Sequence, residues 1–359
     1  MTISTTARYS ALRRVVVSAF SSPIAAVLSL LSGAVMIVVA WNAFRWMVLE
    51  AIWPWQGAAL CAEASGMCWP FIVEKIRFIL FGTFPYEAQF RPALVSILLC
   101  AMTLLTCRQM LGKSPRLRVN QMVGLWALGI CLSFSLMAGG FLGLAPVDPV
   151  RWNGLPVLLM LSIIAIALAF PLGVLLALAR VQKSHWFLSR FASTYIEITR
   201  GIPMLTILFV GIFVLPLLLP ANTSISPITA TLTVLVLFHA SYFAEDVRSG
   251  LLSLPTGQSE AAQSLGLPYW KMTRLIVLPQ AIQRCLPSLV NSIIGAYKDT
   301  SLVVVVGILD LTATARMSFG DPGWRAYGVE AYLVVGIWFF LSSAYLSSVG
   351  KRLQKNAPR

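Results

Sequence analysis

Uncharged, apolar runs recur along this chain at a length that suits a lipid bilayer. A hydrocarbon core about 30 Å thick takes about 20 helical residues to cross, at a rise of 1.5 Å each. Arg8, Arg13 and Arg14 precede an uncharged run over 15–44, and no charged residue occurs between Arg200 and Glu245. The chain is 58% hydrophobic and only 11% charged, against roughly 25% charged in a soluble domain. With a mean hydropathy of +0.81, a soluble enzyme is excluded. The expectation is an all-α integral membrane protein with about eight transmembrane helices. The first run is too long for the short apolar region of a cleavable signal peptide and reads as a retained span.

The uncharged runs place spans at about 23–44, 92–107, 122–144, 154–179, 202–219, 228–244, 285–297 and 326–349. Pro216, Pro220 and Pro227 with Asn222 break the stretch after Arg200 into two crossings. The second span is short, bounded by Arg91 and Arg108, and the seventh has only 13 residues. Loop charge supports keeping it, because Lys and Arg concentrate in short cytoplasmic loops. With eight spans, 19 of the 27 Lys and Arg fall on one side. They are Arg8, Arg13, Arg14, Arg108, Lys113, Arg116, Arg118, Arg180, Lys183, Arg190, Arg200, Arg248, Lys271, Arg274, Arg284, Lys351, Arg352, Lys355 and Arg359. Both termini are therefore expected in the cytoplasm, and the net charge of +14 reflects topology rather than nucleic-acid binding.

Of six cysteines, only Cys61 and Cys68 fall in an expected external loop, about 45–91. They either close a small disulfide loop in an oxidising compartment or remain thiols. Cys100, Cys107, Cys131 and Cys285 lie in or beside spans, where cysteine behaves as a small hydrophobe. No phosphate-binding G-x-x-x-x-G-K-[ST] loop occurs; Gly257-Gln258-Ser259 lacks the lysine. His185 and His239 are the only histidines and stand apart, so neither a metal site nor a His-dependent triad is expected. No catalytic residue and no bound cofactor are expected on this chain.

The long cytoplasmic loop from Glu245 to Arg284 predicts two short helices, 258–265 and 269–278, around a corner. Gly266 supplies the left-handed residue that stops the first and Pro268 starts the second. Glu260-Ala261-Ala262, then Gly266, then Ile276, Val277, Leu278 and Pro279 match the EAA loop of ABC-importer permeases at every spaced position. Tyr195 to Pro203 resembles the Y-x-E-x-x-R-G-x-P entry to a core span, with Glu197 and Arg200 at its polar positions. Ala244 to Gly250 resembles A-E-x-x-R-G, and Lys298-Asp299-Thr300-Ser301-Leu302 matches K-D-T-S-L. The chain is thus similar to the polar amino acid permeases of the histidine, glutamine and arginine type. Its amino-terminal spans, its cysteine insert and Trp152 to Pro156 most resemble the M-type permease subunit of the general L-amino-acid importer. Two residues depart from the pattern: Asp246 stands where an apolar residue is commoner, and Ser249 replaces the glycine after Arg248.

The resemblance implies a type I ABC-importer permease core of MetI-like fold with five transmembrane helices over 151–350. It follows an extension over 1–150 with three transmembrane helices and precedes a basic tail over 351–359. It further implies import of amino acids, over a broad range of L-amino acids, across a bacterial inner membrane by alternating access. Glu260, Ala261, Ala262, Gly266, Ile276, Leu278 and Pro279 form the loop that seats in a cytoplasmic ATP-binding subunit dimer carrying ATP and Mg. The other implied partners are a second permease in a heterodimer, a periplasmic amino-acid-binding protein and membrane lipid.

Intramembrane charges are expensive and mark candidate functional positions. Lys298 and Asp299 either line the path, with Thr300 and Ser301, or form an internal ion pair that fixes a span end. Leu302 to Leu309 reads as a short helix inside the bundle. Glu245 and Arg248 share a helix face and pair with each other or with Arg200. His239, Ser241, Tyr242, Thr206 and Asn291 are candidate polar points in an apolar cavity wall, and His239 alternatively bonds a neighbouring carbonyl. Gly139 and Gly143 are spaced for close helix approach. Two other classes compete: a self-sufficient ion-coupled secondary transporter and a membrane-embedded enzyme. The first has no repeat of the 245–280 pattern to support it, and the second has no acid, base or metal cluster.

Overall fold

The computed structural model describes residues 19–112, 117–141, 143–182, 185–218, 220 and 225–356; Arg8, Arg13, Arg14, Lys113, Arg116, Lys183, Asn222 and Arg359 lie outside these. Helix dominates, and among the described residues there is no strand, only isolated bridges. Seven described helices are long and apolar enough to cross a membrane, or eight if one bent pair counts as a span.

The chain divides into two compact units, Met1–Glu74 and Lys75–Arg359. In the first, Ser22 caps helix α1 (Pro23–Phe44), its Oγ accepting the Ala25 N–H at 3.2 Å, and a proline opens the helix. No residue of α1 is buried, as suits an apolar helix surrounded by lipid. A wide turn over Arg45–Leu49 extends it. Beyond it a disulfide joins Cys61 to Cys68, and the Trp53 ring stacks on Trp55 at 5.2 Å and Trp69 at 5.7 Å. Helix α2 (Trp69–Phe81) leads out of this unit.

In the second unit α3 (Phe90–Leu111) packs on α4 (Val119–Ala138). The helix runs past both ends of the expected 92–107 span because Arg91 is not a boundary. Its guanidinium is buried and donates to the carbonyls of Leu136, Met137 and Ala145 at 2.6, 2.9 and 2.8 Å. It thereby caps the end of α4, where carbonyls lack helical partners and the dipole is negative. α4 stops at Ala138 rather than 144, since Gly139 and Gly140 have φ of 72° and 82°. Gly139 and Gly143 are consequently not a helix-packing pair; both lie in the connection that follows.

The centre of the unit is α5 (Leu155–Val181) against α8 (Pro227–Leu252). Two apolar clusters fill it. One gathers Val157, Leu161, Leu208, Leu235, Phe238 and Val303, the other Ala169, Ile196, Phe243, Val247, Cys285 and Leu289. Between α5 and α8 the chain forms α6 (Trp186–Gly201) and α7 (Met204–Phe209), continued by tighter and wider turns to Leu218. The α6 axis is bent by 107° from this continuation, at Gly201-Ile202-Pro203, where proline disfavours helix in the residue before it. The fifth span is thus the second arm of a broken pair.

α8 extends eight residues past the expected end at 244, because its charged residues find partners inside the bundle. Helix α9 (Gly257–Ser264) is followed by α10 (Tyr269–Met272), a wide turn over Thr273–Val277 and α11 (Leu278–Asp299). The expected second short helix does not stop at 278. It runs on into the seventh span, giving one helical path over Tyr269–Val306. The wide turn precedes Pro279, which has no N–H to give and whose ring crowds the preceding turn. After the tight helix Thr300–Val306, with Val303 and Val306 buried, come α12 (Leu311–Ser318) and α13 (Gly328–Asn356).

Candidate functional site

At the break between α6 and α7 five charges meet. The Glu245 carboxylate on α8 accepts from Arg248 at 2.5 Å and from Arg180 on α5 at 3.0 Å, and lies 3.7 Å from Arg200 on α6. Arg180 also donates to Glu197 on α6 at 2.8 Å, and the Arg200 guanidinium sits 5.3 Å over the Tyr242 ring. Arg180, Glu197, Arg200, Tyr242 and Glu245, with Ile196 and Gly201, line an open cleft of about 400 Å³. Three arginines outnumber two glutamates, so the cluster carries one excess positive charge. Glu245 is 22% exposed, and its removal leaves three cations facing one another. Chemically the cluster is a fastener: it ties α5, α6 and α8 together at a bend. Among the described residues no group of His, Cys, Asp and Glu is placed to hold a metal ion.

Glu197, Arg200, Glu245 and Arg248 are therefore brought into one network. Arg180, which from sequence counted only as a loop charge, is its central cation. The signal was faint: a basic residue in the last turn of a span is common as a dipole partner. Asp246 faces away from this cluster. Its carboxylate accepts from Ser288 Oγ, and from Ser292 Oγ at 2.6 Å, both on α11. Nothing in the sequence pairs residues this far apart.

The corner between α9 and α10 is built by local rules. Gly266 has φ of +70°; its N–H donates to Gln263 O at 2.8 Å and the Leu267 N–H to Ala262 O at 3.2 Å. Together these bonds form a Schellman motif, which satisfies the last carbonyls of α9. Pro268 then caps α10. Ala262, Met272 and Thr273 turn inward and are buried, whereas Glu260, Ala261, Leu265 and Gly266 are exposed. Gln280 Nε2, bonded to Ile276 O at 2.9 Å, also reaches Gln258 Oε1 at 3.4 Å and so fastens α9 to the base of α11. Ile276 and Leu278 are half-buried and Pro279 is exposed.

The remaining candidates do not join one site. Lys298 is exposed and lines a groove of about 390 Å³ with Phe339, Phe340 and Ser343 of α13. Asp299 and Ser301 are half-buried, and Thr300 is buried with its hydroxyl on Ala296 O. Among the described residues no ion pair joins Lys298 to Asp299. His239 is buried edge-on to Phe238 at 5.3 Å, and its Nε2 has no hydrogen bond among the described residues. Ser241 donates to Phe238 O at 2.7 Å, so its hydroxyl is spent within its own helix. Asn291 and Thr206 are exposed.

Residues 169–356 match the family described as "Binding-protein-dependent transport system inner membrane component". The chain is 36% identical over 313 residues to the inner membrane amino-acid ABC transporter permease protein YhdY of Escherichia coli (strain K12), covering 87% of this chain and 83% of that protein. It is 37% identical over 219 residues to the glutamate/glutamine/aspartate/asparagine transport system permease protein BztC of Rhodobacter capsulatus, covering 61% of this chain and 50% of that one. A solved amino acid ABC transporter aligns with a TM-score of 0.49 at 28% identity, over 56% of this chain and 90% of the other. The chain belongs to the family of binding-protein-dependent transport system inner membrane components.

Proposed function

We propose that this chain is the permease subunit of an ATP-driven importer that carries amino acids, over a broad range of L-amino acids, into the cytoplasm. Its cargo class follows the names of the relatives. Broad range follows the M-type resemblance. The observation that carries the mechanism is the corner at Gly266, an exposed turn standing on a helical path continuous through Tyr269–Val306. A push delivered there travels along one helix into the bundle. A change of access needs a differential interaction with two states, and a separate ATP-binding subunit dimer holding ATP and Mg supplies it. Glu260, Ala261, Gly266, Leu278 and Pro279 face or support that subunit, and Ala262 and Ile276 hold the corner. Lys298, Asp299, Thr300, Ser301, His239, Ser241 and Asn291, which the structure does not gather into one site, are assigned to the path on the sequence and its resemblance alone, and the Glu245 cluster is assigned as its gate.

In the assembly, this chain pairs with a second, related permease as a heterodimer, and a periplasmic amino-acid-binding protein delivers cargo. The membrane is the bacterial inner membrane, with both termini in the cytoplasm. The core over 151–350 does the transport, the extension over 1–150 precedes it in sequence, and the residues 351–359 form a basic cytoplasmic tail. Gly266→Asp tests the assignment in proteoliposomes. A Cβ at 266 meets nothing within 4 Å, so the cost is that of a left-handed non-glycine residue, about 1 kcal/mol. The spans should insert normally and the copurified complex should still bind cargo, while uptake and stimulated ATP hydrolysis fall together. Unchanged uptake from Gly266→Asp would remove the corner from the mechanism.

A further inference from the structure

We propose that Asp246, with Ser288 and Ser292, is a coupling clamp that makes α8 follow α11 as the corner moves. The inference rests on the permease function proposed above. Asp246 is one residue beyond Glu245, and about 100° around α8, so the two adjacent carboxylates address different neighbours. Glu245 holds Arg180 on α5 and Arg200 on α6. Asp246 takes two hydroxyls from α11, at Ser288 and Ser292, which stand one turn apart on the same face. Among the described residues no lysine or arginine pairs with Asp246, so the serines carry its interaction.

One turn further along α8 the same two helices touch backbone to backbone. A Cβ on Gly250 would lie 2.3 Å from Ala281 O and 3.2 Å from Cys285 Cβ. Val247, Cys285 and Leu289 fill the space between and are buried. Close packing alone resists separation but resists sliding weakly, because apolar attraction has no direction. Two hydroxyl bonds to one carboxylate are directional and charge-assisted, and they fix the register of α11 on α8. α11 is continuous with the corner arm, so a displacement at Gly266 passes through Asp246 to α8 and through Glu245 to the α6–α7 bend. An apolar residue at 246 would leave only the packing.

The test uses the copurified complex in proteoliposomes, with radiolabelled L-glutamate and L-glutamine as cargo, and reads molecules moved per ATP hydrolysed. Asp246→Ala should lower that ratio at least about tenfold, the lower bound set by losing one of its two charged hydrogen bonds, while the complex stays assembled by size-exclusion chromatography. The pair Ser288→Ala/Ser292→Ala should lower it equally, and adding Asp246→Ala to that pair should lower it no further. A ratio that stays at the parent value in both variants, or losses that multiply in the triple variant, would overturn the clamp. A loss confined to thermal stability, with the ratio intact, would do so as well. Should Asp246→Ala fail to assemble, a cross-link decides: Asp246→Cys/Ser292→Cys is oxidised in a background with Cys100, Cys107, Cys131 and Cys285 replaced by alanine. If α8 and α11 move as one, the cross-linked complex transports within about twofold of the parent; if they slide, it stops. No ATP-driven uptake by the parent complex would overturn the permease function itself, an outcome distinct from any variant result.

Discussion

Asp310 is fully buried at the start of α12, where its Oδ1 caps the helix by accepting the Ala313 N–H at 3.0 Å. Burial pushes its carboxyl up to about 6, against the pull of that bond. Between the ordinary value near 3.8 and about 6 the folded chain holds a proton that the unfolded chain has lost. Stability contributed by this group therefore falls as pH rises through that window, by about 3 kcal/mol in all. Asp310→Asn keeps a good cap and removes the titration, so thermal unfolding between pH 4 and pH 8 should become flatter and the variant should gain stability above pH 6. Arg91 makes a different case, a buried guanidinium whose hydrogen bonds go to three carbonyls at and beyond the end of α4. Arg91→Leu strands those carbonyls at the end of α4, and at 1–3 kcal/mol for each buried unsatisfied group the unfolding midpoint should drop sharply. Neither role was legible in the sequence. Charge identity is visible there, but whether a charge ends a span or caps a neighbouring helix depends on contacts 45 or more positions away.

At the scale of elements, the corner was the most legible feature, since Gly266 and Pro268 act through bonds to residues within five positions. The lengths of α8 and α11 were not legible, because both continue through charged residues that an uncharged-run criterion treats as ends. Glu245 and Asp246 are stabilised inside the bundle by partners on α5, α6 and α11, while Arg284 lies on the exposed side of α11. The corner separates two effects in one prediction. Gly266→Ala adds only the left-handed cost of about 1 kcal/mol and should lower uptake modestly, whereas Gly266→Asp adds a charge at the proposed contact and should abolish stimulation of ATP hydrolysis. The network at the bend makes another. Glu245→Gln leaves Arg180, Arg200 and Arg248 with Glu197 alone and should cost about 3 kcal/mol or more, read as a lower unfolding midpoint of the complex and as loosened amide exchange over Trp186–Leu218.

Over the whole molecule, the number of spans and the family were readable from sequence because they rest on long apolar runs and a fixed spacing of Glu260, Ala261, Ala262, Gly266 and Pro279. How the charged residues are shared out was not. Arg180 and Asp246 became interpretable only once α5, α6, α8 and α11 were brought side by side, where the fold lets one helix carry adjacent carboxylates to two different partners. On the proposed function the consequence is a division of labour, in which this chain contributes the corner, the helix that carries its displacement and the bend, while a separate subunit supplies the ATP-driven push. The most direct measurement is uptake of radiolabelled L-glutamate and L-glutamine by proteoliposomes holding the copurified complex, with and without enclosed ATP and with and without an imposed proton or sodium gradient. Accumulation that requires ATP and the binding protein, and ignores both gradients, is the predicted result. Accumulation driven by a gradient, in the absence of ATP, would contradict the account and make the chain a secondary transporter.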